Sequence, residues 1–225
     1  MRKVLTLIQV LDNLARIPRT GGILCAGISP THTDSVADHC YKVANIALLL
    51  GKVAQKHNLE IDIGKLLEAA LTGDWTDCIL LDIPVRSPSY RSYFSNSDKD
   101  SENFLGLIKQ GESKARQAIE DYLESEVDLD LDSQNLTEVE KKLLGVADVT
   151  ALLIEILEWR YQGMKYGWFD YLWSNTIKRL RDNLNDSLDF LKPLAGELEE
   201  AYKRDTKPPN PFLTKPEFQS LKKSG

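Results

Sequence analysis

Cysteine is scarce and unpaired in this chain: Cys25, Cys40 and Cys78 are odd in number, scattered over 225 residues and without a C-x-x-C spacing. That excludes a disulfide framework and a cysteine-rich zinc site, and it reads as reduced thiols in a cytoplasmic protein. Long apolar runs are missing too. The longest spans residues 46–50, against the roughly 20 residues that a membrane-crossing helix needs. No block of basic residues occurs, and 28 Lys and Arg against 34 Asp and Glu give a formal charge of −6. Nucleic acid and anionic membrane surfaces are therefore not expected partners. Met1-Arg2-Lys3 followed by Val4 to Val10 imitates a signal peptide only superficially, because Thr6 and Gln9 interrupt it and no small-residue cleavage site follows. Apolar positions 4, 7, 8, 11 and 14 repeat instead as one helix face.

No stretch alternates as a strand does, and what is present is helical throughout. The pattern predicts a helix over residues 3–17, stopped by Pro18 and the Thr20-Gly21-Gly22 turn, then a loop to Asp34. Ser35-Val36-Ala37-Asp38 opens a second helix reaching about His57, and a third covers 62–81. Pro84, Pro88, Arg86, Tyr90, Arg91 and Tyr93 mark residues 84–100 as a loop, either a lid over a ligand or a solvated connection. A charged amphipathic helix over 101–126 follows, then one capped by Thr137-x-x-Glu140 running to about 165, then a last helix over 171–204. Pro208, Pro209, Pro211 and Pro216 make the end an extended or docked arm. The expectation is an all-α protein: one helical bundle over residues 1–206 with an extra C-terminal helix, and a proline-rich tail over 207–225.

The informative residues are polar ones set in apolar seams. His39 continues the apolar face of residues 36, 43, 46, 47 and 50, while Asp74 follows Leu67, Ala70 and Leu71. Asp148 stands four residues after Leu144 and four before Leu152. Residues three and four apart share a helix face, so each is directed inward. A buried carboxylate must be paired, neutralised or bound to a cation. One His and two Asp from three helices either form a divalent-cation cage or are separately satisfied core groups. Asp77 lies three residues beyond Asp74, and Asp82 follows the helix end. Such clustered acids imply a cation between them, an acid that keeps its proton, or a solvated acidic helix end.

In order, the chain carries Arg16-Ile-Pro-Arg19-Thr-Gly21, Asp34-Ser-Val-Ala-Asp38-His39, Leu71-Thr-Gly-Asp74-Trp-Thr-Asp77-Cys-Ile-Leu-Leu-Asp82-Ile-Pro84 and Val146-Ala-Asp148. This ordered set, over about residues 3–165, resembles the HD-domain metal-dependent phosphohydrolases, and within them the 5'-deoxynucleotidases. The resemblance implies that His39, Asp74 and Asp148 hold a divalent metal (Mn, Co or Mg). It also implies that Asp77 orients the attacking water, that Asp82 is an acid for the leaving 5'-oxygen, and that Arg19, or else Arg16, clamps the substrate phosphate. Gly73 stands where the family has the His of its HD pair, and Asp77 replaces a Glu. Leu81 replaces a usual Gly, and the loop between Gly22 and His39 is longer than usual. Water or His32 is then the candidate for the vacant ligand position, unless His32 is simply exposed. The aromatic segment from Trp159 to Trp173 is either core and subunit packing or a base-stacking platform, and the resemblance implies a homodimer. The implied activity is release of phosphate from small nucleoside 5'-monophosphates, deoxynucleosides foremost. The alternative is an inactive homologue that binds nucleotide or serves a structural role.

Overall fold

The computed structural model describes residues 1–82, 98–123, 126, 127, 129, 131, 133–164, 167–204 and 206–209. The Arg86, Tyr90, Arg91 and Tyr93 loop, Tyr166 and the tail prolines 211 and 216 lie outside the described residues. Helix α1 (Arg2–Leu11) passes into a 3-10 turn (Asp12–Arg16), followed by α2 (Thr20–Ala26) and a second 3-10 turn (Pro30–His32). Then come α3 (Val36–Lys56), α4 (Ile63–Thr72), the short α5 (Asp77–Leu80) and α6 (Asp98–Leu123). Helices α7 (Glu138–Tyr161) and α8 (Gly167–Asn183), a 3-10 turn (Asp186–Leu191) and α9 (Lys192–Lys203) complete the order. Among the described residues there is no strand, only an isolated bridge between Pro18 and Ser35. The architecture is all-α, as the sequence implies.

Helices α3 and α7 form the centre, with α4 against the first and α8 against the second. Small residues make the approach close: Ala44, Ala47 and Ala54 of α3 share a core with Val146, Ala147 and Ala151 of α7. Leu66 of α4 and Leu180 of α8 close that core from the two sides. Both central helices begin with a reciprocal cap, Ser35 with Asp38 and Thr137 with Glu140, which satisfies backbone donors that a helix start leaves open. Glu140 does more than cap, since it also accepts the Asp62 N–H at 2.7 Å and ties the start of α7 to that of α4. Among the described residues no helix is long and apolar enough to cross a membrane.

The structure departs from the sequence pattern at four places. The first helix tightens to 3-10 geometry after Leu11 and stops at Ile17, whose extended backbone (ψ 112°) is what a following proline enforces. Ile8 is left outward at 59% exposure, although it shares a heptad with buried Leu7. The predicted loop after Pro18 contains α2, ended by Gly27 at φ +66° with its N–H on Ile23 O and the Ile28 N–H on Gly22 O, a glycine-capped C-terminus. The third helix breaks between Thr72 and Asp77. The last one divides at residues 184–191, where Asp186 takes φ +52°. Pro193 then falls in the first turn of α9, where its missing N–H costs nothing.

Three aromatics of the segment are core, while Tyr171 is exposed. Trp159, Phe169 and Trp173 are buried, and Trp159 meets Phe169 edge to face at 6.1 Å between centroids. Trp173 stacks on Tyr202 at 4.0 Å. The indole of Trp159 lies on the backbone of Gly22, where an added Cβ would come within 2.4 Å of its Cη2. Its Nε1–H donates to His32 O at 3.0 Å. A tryptophan from α7 thus holds α2 and the following turn in place, which is why two consecutive glycines are helical despite their poor propensity. Gly22→Ala should therefore cost about 1–3 kcal/mol through overpacking. In thermal unfolding that is a lowering of roughly 2–4 °C per kcal/mol; an unchanged midpoint would contradict the contact.

Candidate functional site

Arg19 is placed by backbone pairing. Its N–H donates to Asp34 O at 2.8 Å and the Val36 N–H donates to Ile17 O at 2.9 Å, so the segment runs beside the entry to α3. From there the guanidinium Nη1 reaches Asp74 Oδ2 and Asp82 Oδ1, each at 3.3 Å. The Thr20 N–H and hydroxyl both donate to Asp82 as well. Asp82 is presented by Leu81, whose backbone sits at φ +66°, ψ 163°. That region is nearly confined to glycine, and another residue there stores strain.

On the other side of Asp74 stands His39, buried in the first turns of α3. Its Nε2 is 3.1 Å from Asp148 Oδ1 and 3.9 Å from Asp74 Oδ2. Asp148 comes from the middle of α7 and its second oxygen faces Arg179 of α8 at 4.0 Å. Asp74 lies at the turn after α4, and Asp77 starts α5. The structure therefore brings together His39, Asp74, Asp82, Asp148 and Arg19, with Asp77 adjacent through its N–H on Asp74 O at 3.0 Å. Arg16 is not brought in: its guanidinium pairs with Asp12 at 2.6 Å on an exposed face. His32 is exposed, with Nδ1 3.2 Å from Thr31 Oγ1.

The charges are crowded. Burial, and then the neighbouring Asp74 and Asp82 carboxylates, push Asp77 up to about 8. Burial also raises Asp74 against the opposing pull of Arg19 and His39. At Asp148 the loss of solvent works the same way, but the His39 hydrogen bond and the charges of His39, Arg19 and Arg179 outweigh it and hold the carboxyl below its ordinary value. Glu155, two turns beyond Asp148 on α7, is buried and pushed up to about 7, by burial first and by Asp34 second. It accepts the Asp34 N–H at 3.3 Å. The sequence reading missed Glu155 and Arg179. Glu155 had a signal, a single acid inside Leu152-Leu153-Ile154-Glu155-Ile156-Leu157, whereas Arg179 sits among other surface cations and had none.

The residue types fit a hard divalent cation: an imidazole nitrogen and carboxylate oxygens from three elements, with acids outnumbering the cationic side chains near them. His39, Asp74 and Asp148 are the residues that would hold it. The support is incomplete, because His39 Nδ1 is buried without a hydrogen-bond partner, whereas a ligating histidine ordinarily donates that N–H to an acceptor. Among the described residues no three His, Cys, Asp or Glu side chains are grouped as a finished ion site. Gly73 is in ordinary right-handed helical geometry, and a Cβ there would meet only Ala69 O, at 3.2 Å. Its backbone does not require glycine.

Residues 6–195 match the family described as 5'-deoxynucleotidase YfbR-like. No curated protein matches the chain. Among solved structures, the PH0347 protein of Pyrococcus horikoshii is similar at TM-score 0.65 and 21% identity, over 88% of this chain and 99% of that one. A conserved hypothetical protein of Pyrococcus furiosus is similar at TM-score 0.59 and 27% identity, over 89% and 99%. An HD-domain phosphohydrolase of Listeria innocua is similar at TM-score 0.58 and 22% identity, over 88% and 98%. The chain shares the HD-domain helical fold.

Two stability measurements check this geometry. Leu81→Gly should raise stability by about 1 kcal/mol in chemical denaturation, because strain at a left-handed residue is relieved; a loss would mean that Leu81 is not strained. Glu155 has its folded pKa, about 7, above its ordinary 4.5. The folded state then binds more protons than the unfolded one across that window, so this group's contribution falls as pH rises through it and levels off above. With chelator present, the urea midpoint of Glu155→Gln should gain on wild type from pH 4.5 to 7 and run parallel above. A constant offset would contradict the assignment.

Proposed function

We propose that this chain, which belongs to the 5'-deoxynucleotidase YfbR-like family, is a divalent-metal phosphohydrolase that releases phosphate from nucleoside 5'-monophosphates, deoxynucleosides foremost. The observation that carries this reading is the meeting of His39 with Asp148 and Asp74, from three separate elements, beside the Asp74–Arg19–Asp82 ion pairs. His39, Asp74 and Asp148 would hold Mn²⁺, Co²⁺ or Mg²⁺. When bound, such a cation polarises phosphoryl oxygens and lowers the pKa of a coordinated water.

The side chains supply the rest. Arg19 offers a planar guanidinium to the phosphate, suited to two of its oxygens. Asp82, gripped by Thr20 and Arg19, keeps that guanidinium in position. In the reaction a water oxygen bonds to phosphorus and gives up one proton to solvent, the P–O5' bond breaks and the leaving oxygen takes up a proton from an acid side chain. Asp77, which burial and neighbouring acids keep protonated near neutral pH, is the better proton donor of the two acids. The sequence resemblance gives that part to Asp82, but hydrogen bonds from Thr20 and Arg19 already engage both of its oxygens. Gly73 and the unpartnered His39 Nδ1 favour a second reading, a nucleotide-binding homologue without turnover.

Phosphate release from a panel of 5'-monophosphates, with each metal and with EDTA, separates the two. The expected result is chelator-sensitive release that Asp74→Ala abolishes. Folded protein that releases nothing with any metal would overturn the nucleotidase reading in favour of an inactive homologue. Gly73→His should tighten Mn²⁺ binding in calorimetry by about 10-fold or more, since one more ligand completes the set. Unchanged affinity would mean that position 73 does not face the ion.

A further inference from the structure

We propose that Arg179 of α8 is a second phosphate-binding residue, one that leaves Asp148 to take the substrate's 5'-phosphate from the side opposite Arg19; the inference rests on the nucleotidase reading. The two arginines differ in how far they are committed. Arg19 is 19% accessible and hydrogen-bonded to two carboxylates, so much of its charge is already matched. Arg179 is 42% accessible, and its nearest acid oxygen, Asp148 Oδ2, is 4.0 Å away. That is too long for a hydrogen bond. Among the described residues the Arg179 guanidinium makes no hydrogen bond, so its planar fork of donors is open.

A phosphate dianion approaching Asp74, Asp82 and Asp148 meets repulsion, and it needs cations that are not already spent on acids. Arg179 stands at that place. Asp148 lies across His39 (3.1 Å) from Asp74, which Arg19 holds, so an anion bound beside Asp148 has Arg179 at one end of that chain of contacts and Arg19 at the other. The backbone of Arg179 is steadied, its carbonyl accepting Asn183 Nδ2–H at 3.1 Å, while the side chain projects into solvent. A half-exposed arginine exchanges partners with little loss of packing, and its fork matches two phosphate oxygens. In the resting protein Arg179 screens Asp148; with substrate present it screens the phosphate.

The test uses the full chain with Mn²⁺, comparing wild type, Arg179→Gln and Arg179→Lys. Inorganic phosphate is titrated by calorimetry, Mn²⁺ is titrated separately, and KM and kcat are measured for a deoxynucleoside 5'-monophosphate. Loss of a charged hydrogen-bonding partner predicts phosphate binding about 10- to 100-fold weaker in Arg179→Gln. KM should rise by a similar factor with a smaller change in kcat, Mn²⁺ affinity should hold, and Arg179→Lys should recover part of the loss. Unaltered phosphate binding in a folded Arg179→Gln overturns the proposal. So does weakened Mn²⁺ binding with phosphate affinity intact, since Arg179 would then only order Asp148. If wild type turns over no nucleotide yet binds phosphate through Arg179, the nucleotidase reading fails while Arg179 stands as a phosphate-binding residue.

Discussion

The guanidinium of Arg19, held between Asp74 and Asp82, is the contact on which the arrangement turns. Each partner alone would leave a charge poorly solvated: an arginine at 19% accessibility on one side, carboxylates crowded among other carboxylates on the other. Together they let four aspartates gather in one place without bursting it apart. The contact also joins distant parts of the chain, the segment before α2, the turn after α4 and the second residue after α5. Remaining imbalance is visible in Asp77, which keeps a proton that an isolated aspartate would have lost.

Around this contact the scaffold supplies position rather than charge. His39 is fixed by the capped first turn of α3, and Asp148 by the close seam of α3 and α7. Asp82 depends on a backbone conformation that leucine adopts only at a cost. A glycine before this aspartate, usual in the family that the sequence resembles, would adopt it freely. The strain at Leu81 falls on the same short stretch as Gly73 and Asp77, so this segment carries three of the differences from the family that the sequence resembles.

Much of this was legible in the sequence because helical periodicity exposes a polar residue in an apolar seam. His39, Asp74 and Asp148 stood out that way, Asp77 and Asp82 stood out by clustering beside Asp74, and the ordered motifs added Arg19. Helix starts at Ser35 and Thr137 were legible from their caps. The break after Thr72 and the division at residues 184–191 were not, since apolar spacing continues across both while the backbone does not. Helix α2 was hidden because tertiary packing against Trp159 decides it. Arg179 was hidden for a different reason: a charge on a solvated helix gains meaning only from what lies across the groove. Asp148 likewise looked like a core residue by spacing, yet its side chain is 47% accessible at the edge of the bundle.

The seating of Trp159 on Gly22 also sets an order of events during synthesis. The hydrogen bond from its indole to His32 spans 127 residues of sequence. At roughly 5–20 residues per second, a ribosome takes on the order of 6–25 s to cover that distance. Throughout that interval α2 lacks the ring that fixes it, and His39 waits for Asp148 on the same helix as the tryptophan. Nascent chains shorter than α7 therefore carry the N-terminal half of the site without the means to close it. The Arg19, Asp74 and Asp82 contacts lie within the first 82 residues, and the site closes later, when α7 brings Asp148 to His39.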